Sequence, residues 1–271
     1  MSSEAEGPFH TSDVSLTAVG PRRAILRTDD GVRIEAVYEP CTTGVCDTAI
    51  VVAHGFTGSV DRPSVRRAAE VFSQRAAVVT FSFRGHGGSG GRSTVGDREV
   101  LDLAAAVEWA RGFGHTRVVT VGFSMGGSVA LRHAAMHRGR REARTDAVAA
   151  VSAPARWYYR GTAPMRRLHW IVTRPIGRLV GRYGLHTRIQ PEVWDPVPLS
   201  PVESVPLIAP TPLLIVHGDR DPYFPLDHPR MLAAASDAEL WLEPGMGHAE
   251  NAADAGLLGR LADWLVEERS R

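Results

Sequence analysis

Lysine is absent from this chain, so all 31 of its basic residues are arginine. That absence excludes Schiff-base chemistry, a phosphate-binding P-loop lysine and a serine–lysine catalytic pair. The acidic residues number 30, and the formal net charge of +1 gives no indication of a nucleic-acid partner or an anionic membrane surface. With 271 residues, of which 44% are hydrophobic, the chain can build one large α/β domain or two small ones.

Cysteine is nearly absent as well. The chain has only Cys41 and Cys46, which are separated by four residues, Thr-Thr-Gly-Val. They could bridge a tight turn in an oxidising compartment, but in a cytosolic chain we expect two free thiols. Two cysteines cannot form a zinc site alone, and no histidine spacing nearby completes one.

Long hydrophobic runs are also missing. No apolar stretch approaches the ~18–20 residues that a membrane-spanning helix needs. The first residues, MSSEAEGPFHTSD, are polar and slightly acidic and contain no apolar segment typical of a secretory signal. We therefore expect no membrane span and a cytoplasmic location.

What the chain does contain is an alternation of short apolar runs with helical patterns. The predicted strands cover 24–28, 32–39, 49–53, 78–83, 118–121, 147–151, 213–216 and 239–242. The predicted helices cover 62–74, 97–111, the stretch after 124 to about 137, 227–235 and 253–268. Repeated strand–helix units indicate an α/β fold with a mostly parallel central sheet and helices on both of its faces.

The alternation is interrupted at 155–205, where no convincing strand is found. This stretch holds six tryptophans and tyrosines, and its eight arginines between 156 and 188 are accompanied by no acidic residue. We interpret 155–205 as a mostly helical cap inserted into a core formed by 21–154 and 206–271, with 1–20 as a frayed lead-in.

One turn between a predicted strand and a predicted helix carries a chemical signature. After the strand come Gly122, Phe123, Ser124, Met125 and Gly126, the pattern G-x-S-x-G. In that setting the serine lies at the tip of a sharp turn, its hydroxyl clear of the sheet and beside the free N–H groups that begin a helix. We interpret Ser124 as a nucleophile; the alternative is a glycine-rich turn with a bystander serine.

A serine nucleophile needs a base, and the base needs a carboxylate to orient it. Among eleven histidines, His248 follows a glycine-rich loop after the last predicted strand, at the same edge of the sheet as Ser124. We predict that His248 is the general base, against the alternative of a solvent-facing loop histidine. For the carboxylate we predict Asp221, in the loop after the strand at 213–216, over Asp219, which could instead cap the turn.

Four motifs together resemble a known family. They are HGF at 54–56, GFSMG at 122–126, HGDRDPYFP at 217–225 and GMGH at 245–248. They are similar to the α/β-hydrolase fold, in the serine hydrolase branch that holds esterases, monoacylglycerol-lipase-like enzymes and serine aminopeptidase-like enzymes. The chain order serine, aspartate, histidine is that of this fold. The resemblance covers nearly the whole chain outside the cap, and it also favours Asp221 as the acid.

The resemblance implies further roles. The backbone N–H groups of Phe56 and Met125 would form the oxyanion hole, and His54 and His217 would be structural. One departure is Ser82, which stands where the family commonly has an aspartate before the arginine of the following turn, and it puts local ion pairing in doubt.

These residues together predict acyl transfer. The expected enzyme hydrolyses a carboxylic ester or thioester of a small molecule through an acyl-enzyme, with no cofactor and no metal. The alternatives are a peptidase or carbon–carbon bond hydrolase using the same residues, and a non-catalytic binding protein of the same fold. The cap arginines predict a solvated outer face; a sharper hypothesis has some of them, Arg166 and Arg167 among them, favouring an anionic substrate.

Overall fold

The computed structural model describes residues 20–44 and 46–267, so the predicted lead-in lies almost wholly outside the described residues. Its strands are β1 (Arg22–Arg27), β2 (Arg33–Glu39), β3 (Thr48–Ala53), β4 (Ala77–Phe81), β5 (Arg117–Phe123), β6 (Val148–Val151), β7 (Leu213–Gly218) and β8 (Glu239–Glu243). Its helices are α1 (Pro63–Phe72), α2 (Glu99–Gly112), α3 (Met125–His137), α4 (Ala163–Thr173), α5 (Pro175–Gly184), α6 (Pro201–Ser204), α7 (Asp227–Ala234), α8 (Ala249–Ala252) and α9 (Ala255–Val266). A short 3-10 turn, Val205–Leu207, follows α6.

The eight strands form one sheet in the order β1-β2-β4-β3-β5-β6-β7-β8. The strand β2 runs antiparallel to both of its neighbours, and the pairs from β4 to β8 are all parallel. The strands predicted at 24–28 and 32–39 form an antiparallel hairpin, and the predicted α/β fold with a mostly parallel sheet is confirmed.

Both faces of the sheet are covered, as the continuous apolar strands predict. Along β3, Ile50 and Val52 point to one face, where they share a core with Phe72 of α1 and Leu261 of α9. Val51 points to the other face, whose core includes Leu103 of α2. The alternation follows from the two-residue period of a strand, and it fixes the ends of the central strands between two layers of helices.

The end of the chain differs from the prediction. The helix expected at 253–268 is α9, and it is preceded by a short helix that was not predicted, α8, with a break between the two at residues 253 and 254. The break has a local cause: the side chain of Asp254 accepts a hydrogen bond from the N–H of Leu257 at 2.8 Å, which makes Asp254 the N-cap of α9.

The predicted cap contains the helices α4 and α5, followed by an extended stretch up to α6. That stretch makes two isolated bridges to the loop after β4, from Thr187 to His86 and from Ile189 to Ser93. The prediction found no strand here because single bridges leave no periodic apolar pattern. The division into cap and core stays a prediction.

Cys41 and Cys46 form a disulfide, so the expectation of two free thiols was wrong. The turn between β2 and β3 brings their Cα atoms to 6.3 Å, within the range that a disulfide spans. Within the described residues, no helix is long and apolar enough to cross a membrane.

Candidate active site

The turn between β5 and α3 holds Ser124 in a left-handed backbone conformation, with φ 53° and ψ −115°. This conformation is costly for a residue with a Cβ, and neighbouring contacts must hold it in place. The N–H of Ser124 donates to the carbonyl oxygen of Val151 at 2.8 Å, and α3 begins at the next residue. The side chain is thereby turned away from the sheet.

The two glycines of the motif are required by their neighbours. A Cβ on Gly122 would collide with the carbonyl oxygen of Gly126, and a Cβ on Gly126 would collide with the carbonyl oxygen of Ala53. The helix α3 thus begins against the ends of β3 and β5, closer than any side chain would allow.

Ser124, His248 and Asp221 form a chain of hydrogen bonds. The Oγ of Ser124 lies 2.8 Å from Nε2 of His248, and Nδ1 of His248 lies 2.7 Å from Oδ2 of Asp221. The three residues follow β5, β8 and β7, and the parallel strands bring their loops to one edge of the sheet. In this arrangement the imidazole carries its proton on Nδ1, and Nε2 is free to accept the proton of the serine hydroxyl.

The carboxylate of Asp221 is completely buried. Burial alone would raise its pKa, but the hydrogen bond from His248 and those from the N–H groups of Tyr223 and Phe224 hold the pKa of Asp221 below its ordinary value. Asp219, the alternative considered above, accepts a hydrogen bond from the N–H of Gly245 at 2.6 Å. The structure therefore places Asp221 against the histidine and Asp219 in the turn.

Two further histidines, His54 and His217, are buried near the site and make hydrogen bonds to the backbone. His54 donates from Nδ1 to the carbonyl oxygen of Gly55 at 2.6 Å and accepts the N–H of Phe83 at 3.0 Å. Burial lowers the pKa of His54 to about 3, so the ring is neutral. His217 donates from Nε2 to the carbonyl oxygen of Phe224 at 2.8 Å, and burial lowers its pKa as well. Both side chains hold loops in place.

The N–H groups of Phe56 and Met125 are available to a ligand. Within the described residues, neither donates a hydrogen bond. Both residues, together with Ser124, line the same pocket. Met125 is the first residue of α3, where an N–H has no partner inside the helix and favours negative charge.

A carboxylate that the sequence did not single out joins the two sides of the site. The N–H of Gly55, next to Phe56, donates to Oε1 of Glu250 at 2.9 Å, and Glu250 is only 5% exposed. Arg67 in turn donates to the backbone oxygen of Glu250 at 2.6 Å. Glu250 lies two residues after His248, so it ties the loop of the histidine to the loop of Phe56. The only signal in the sequence was an acid close to the predicted base.

The pocket above Ser124 has a volume of about 370 Å³ and a mostly apolar wall. Nine of its apolar and aromatic residues come from the cap: Trp157, Tyr158, Tyr159, Met165, Leu168, Val172, Pro191, Val193 and Trp194. Four of the six cap tryptophans and tyrosines line this pocket, whereas Trp170 and Tyr183 are exposed to solvent.

The cap arginines are divided between the pocket and the surface. Arg166 and Arg167 are exposed and are not part of the pocket wall, so their positions do not support the anionic-substrate hypothesis, which stays a prediction. Arg156, Arg160 and Arg178 do line the pocket, and Arg156 is paired with an aspartate of α7 at 2.9 Å.

The serine at position 82 does not leave Arg84 without an acidic partner. The Oγ of Ser82 accepts the N–H of Val60 at 3.1 Å. The buried guanidinium of Arg84 pairs with Asp102 and Asp30, each at 2.7 Å, so its partners come from other elements than the family pattern provides.

Comparisons with known proteins agree with this architecture. An uncharacterized protein of Mycobacterium tuberculosis is 27% identical over 253 residues, which are 89% of this chain and 76% of that protein. The esterase Pf2001 of Pyrococcus furiosus superposes with a TM-score of 0.70 at 22% identity, covering 90% of this chain and 91% of the esterase. Est1E of Butyrivibrio proteoclasticus, solved with ferulic acid bound, superposes with a TM-score of 0.58 at 20% identity, covering 90% and 96%.

The sequence model of the alpha/beta hydrolase family matches residues 50–256, which contain the strands from β4 to β8, the cap and the pocket. At their low identities the solved structures show a shared fold, and the family match covers well over half of the chain. The chain belongs to the alpha/beta hydrolase family and is a hydrolase enzyme.

Proposed function

We propose that this protein is a serine hydrolase that cleaves a carboxylic ester or thioester through an acyl-enzyme intermediate. Ser124 is the nucleophile, His248 the general base and Asp221 the carboxylate that orients it. The observation that carries the proposal is the 2.8 Å contact between Ser124 Oγ and His248 Nε2 at the wall of an apolar pocket. A serine without a catalytic role would not be expected to contact an imidazole that is itself held by a buried carboxylate.

In the first half of the reaction, Ser124 Oγ attacks the carbonyl carbon of the substrate while its proton passes to Nε2 of His248. The carbonyl oxygen becomes an oxyanion, to which the N–H groups of Phe56 and Met125 donate. When the tetrahedral intermediate collapses, the bond to the leaving group breaks, and the leaving alkoxide or thiolate takes the proton from Nε2. The acyl group stays on Ser124 as an ester.

In the second half of the reaction, water takes the place of the serine hydroxyl and the same steps are repeated. The water attacks the acyl carbon and gives a proton to Nε2 of His248, and the same two N–H groups hold the new oxyanion. Collapse releases the carboxylic acid, and Ser124 Oγ recovers the proton. The buried charge of Asp221 stabilises the imidazolium in both halves, because the pKa of this carboxyl is held below its ordinary value.

The substrate proposed is a small molecule with an apolar or aromatic acyl group. The apolar wall and the volume of about 370 Å³ support it, as does the likeness to an esterase and to a protein with bound ferulic acid. The cap at 155–205 supplies much of that wall. The cytoplasmic location stays a prediction, which cell fractionation would test; the disulfide between Cys41 and Cys46 argues against it, because disulfides persist mainly in oxidising compartments.

A series of p-nitrophenyl esters from acetyl to palmitoyl tests the proposal. The wild type should hydrolyse at least the shorter esters, and Ser124→Ala should lower kcat by at least about 10³-fold, since the nucleophile is removed. A fluorophosphonate probe should label the wild type on Ser124, which peptide mass spectrometry locates.

The matched control is Ser236→Ala, a serine outside the pocket, which should keep full activity and labelling. A wild type that takes up no probe and cleaves no ester would favour the binding-protein alternative. Equal activity of wild type and Ser124→Ala would exclude this serine as the nucleophile.

A further inference from the structure

The helix α5 turns its apolar side chains towards solvent. Ile176, Leu179, Val180 and Tyr183 follow the spacing i, i+3, i+4, i+7, which normally marks the buried stripe of a helix. Here their exposed fractions are 67%, 55%, 44% and 70%. An amphipathic helix with its apolar stripe outward has no covering partner within the described residues.

The opposite face of α5 explains this orientation. Gly177 and Gly181 are its buried residues, one turn apart. A Cβ on Gly177 would lie 2.7 Å from the Cα of Ile171 in α4, so only glycine allows the two helices to approach this closely. The glycine stripe thus faces inward, and the large apolar side chains are left outside by the packing itself.

The neighbouring helix α4 also exposes a large apolar side chain. Met165, Leu168 and Val172 of α4 face the pocket. Trp170 is 47% exposed, and the exposed Arg167 lies three residues before it on the same helical face. The exposed Arg174 is the extended residue between α4 and α5. We call the exposed apolar side chains of α4 and α5 the cap outer surface; they are Trp170, Ile176, Leu179, Val180 and Tyr183.

The charge around the cap outer surface has a single sign. Exposed arginines accompany it on both helices, and no acidic residue occurs between 156 and 188. Arg182 lies over the ring of Tyr183, 5.4 Å from its centroid. The net charge of +1 for the whole chain conceals this local excess, because the acids lie elsewhere.

A second copy of the chain does not fit this charge. A two-fold interface brings the same patch of each subunit together, so the arginines of one cap would face those of the other. An apolar stripe flanked by arginine, tryptophan and tyrosine is what an interfacial helix presents to a membrane surface with anionic lipids.

We propose that the cap outer surface binds an anionic lipid surface, with the apolar stripe of α5 in the headgroup region and the arginines on lipid phosphates. None of the five residues of the cap outer surface lines the pocket, so docking through them leaves the pocket wall free. This binding is independent of the proposed ester hydrolysis, and a protein without esterase activity would still show it.

Vesicle sedimentation tests the proposal. The full chain is mixed with vesicles of about one-third phosphatidylglycerol in phosphatidylcholine, or with pure phosphatidylcholine. We expect binding to the anionic vesicles, weak binding to the neutral ones, and a decrease of the anionic binding as salt is raised.

Two pairs of substitutions separate the apolar and the charged contributions. Ile176→Ser with Tyr183→Ser should lower the partition coefficient by at least about tenfold, and Arg174→Gln with Arg182→Gln by about fivefold for each arginine removed. The matched controls are Ile25→Ser with Leu207→Ser, two apolar residues elsewhere that are 50% and 48% exposed, and Arg27→Gln with Arg33→Gln. The controls should bind as the wild type does. Circular dichroism melting curves should show that each variant is folded.

Three outcomes would overturn the proposal. One is a wild type that stays in the supernatant with anionic vesicles, and another is equal binding to pure phosphatidylcholine. The third is self-association in sedimentation velocity that Ile176→Ser with Tyr183→Ser abolishes, which would make a second copy the occupant of the surface.

Discussion

At the scale of single residues, the hydroxyl of Ser124 is placed by backbone geometry. A φ of 53° in a residue with a Cβ costs on the order of 1–3 kcal/mol, and the contacts of Gly122 and Gly126 with the neighbouring backbone maintain it. The result is an oxygen that meets His248 while its own backbone N–H is bound to Val151. The tight turn between β5 and α3 is therefore the cause of both the backbone strain and the position of the hydroxyl.

Glu250 gives a prediction at this scale. Its carboxylate holds the N–H of Gly55, and Gly55 determines where the N–H of Phe56 points. We expect Glu250→Ala to lower kcat for ester hydrolysis by about tenfold or more with little change in KM, short of the roughly 10²–10³-fold loss that follows removal of a whole oxyanion donor. Steady-state kinetics on p-nitrophenyl acetate measures both constants.

Glu250→Gln is the matched control, because an amide oxygen accepts the same N–H without the charge. It should keep kcat close to that of the wild type. If Gln and Ala lose activity equally while both melt like the wild type, Glu250 does not act through Gly55.

At the scale of elements, the ends of the parallel strands determine which side chains come together at the site. The loops after β5, β7 and β8 supply Ser124, Asp221 and His248, and the loop after β3 supplies Phe56. The sequence predicted this convergence because the carboxyl ends of parallel strands share one edge of a sheet. It did not predict α8 or the break that separates it from α9, because a helix of four residues is too short to show an apolar spacing.

The break gives a prediction for stability. Asp254→Ala should lower the free energy of unfolding by about 1 kcal/mol, because the N–H of Leu257 loses the side chain that accepts it. Urea denaturation followed by circular dichroism measures the change. Asp254→Asn keeps an accepting oxygen and should remain close to the wild type, and an equal loss in both variants would assign the effect to the charge instead of the cap.

At the scale of the whole molecule, the interior holds many neutral histidines. Burial lowers the pKa of each of six: His54, His86, His133, His137, His217 and His228. In the unfolded chain each has a pKa of about 6.5, so between that value and its lower folded value the unfolded state binds a proton that the folded state does not. Stability therefore falls as the pH falls below about 6.5.

The dependence of the free energy of unfolding on pH can be measured. Each histidine contributes up to about 1.4 kcal/mol per pH unit in its window, which for His54 extends down to a pKa of about 3. Urea unfolding at several values between about pH 7 and about pH 4 should show a steep loss of free energy of unfolding. His54→Asn, whose amide oxygen and nitrogen do not titrate, should flatten the curve, and an unchanged slope would show that His54 takes up its proton while folded.

The sequence by itself determined the fold class and the residue types of the candidate site. Short apolar runs alternating with helical patterns leave few arrangements other than a covered parallel sheet. A serine between two glycines at a strand–helix turn is a pattern that can be recognised without knowledge of its distant partners. Only the tertiary structure decided which distant groups meet. Glu250 reaches Gly55 across the fold, Cys41 closes on Cys46, and the glycines of α5 face inward so that its apolar stripe faces outward. The spacing of a helix tells which residues share a face, but the packing of its neighbours decides what that face meets.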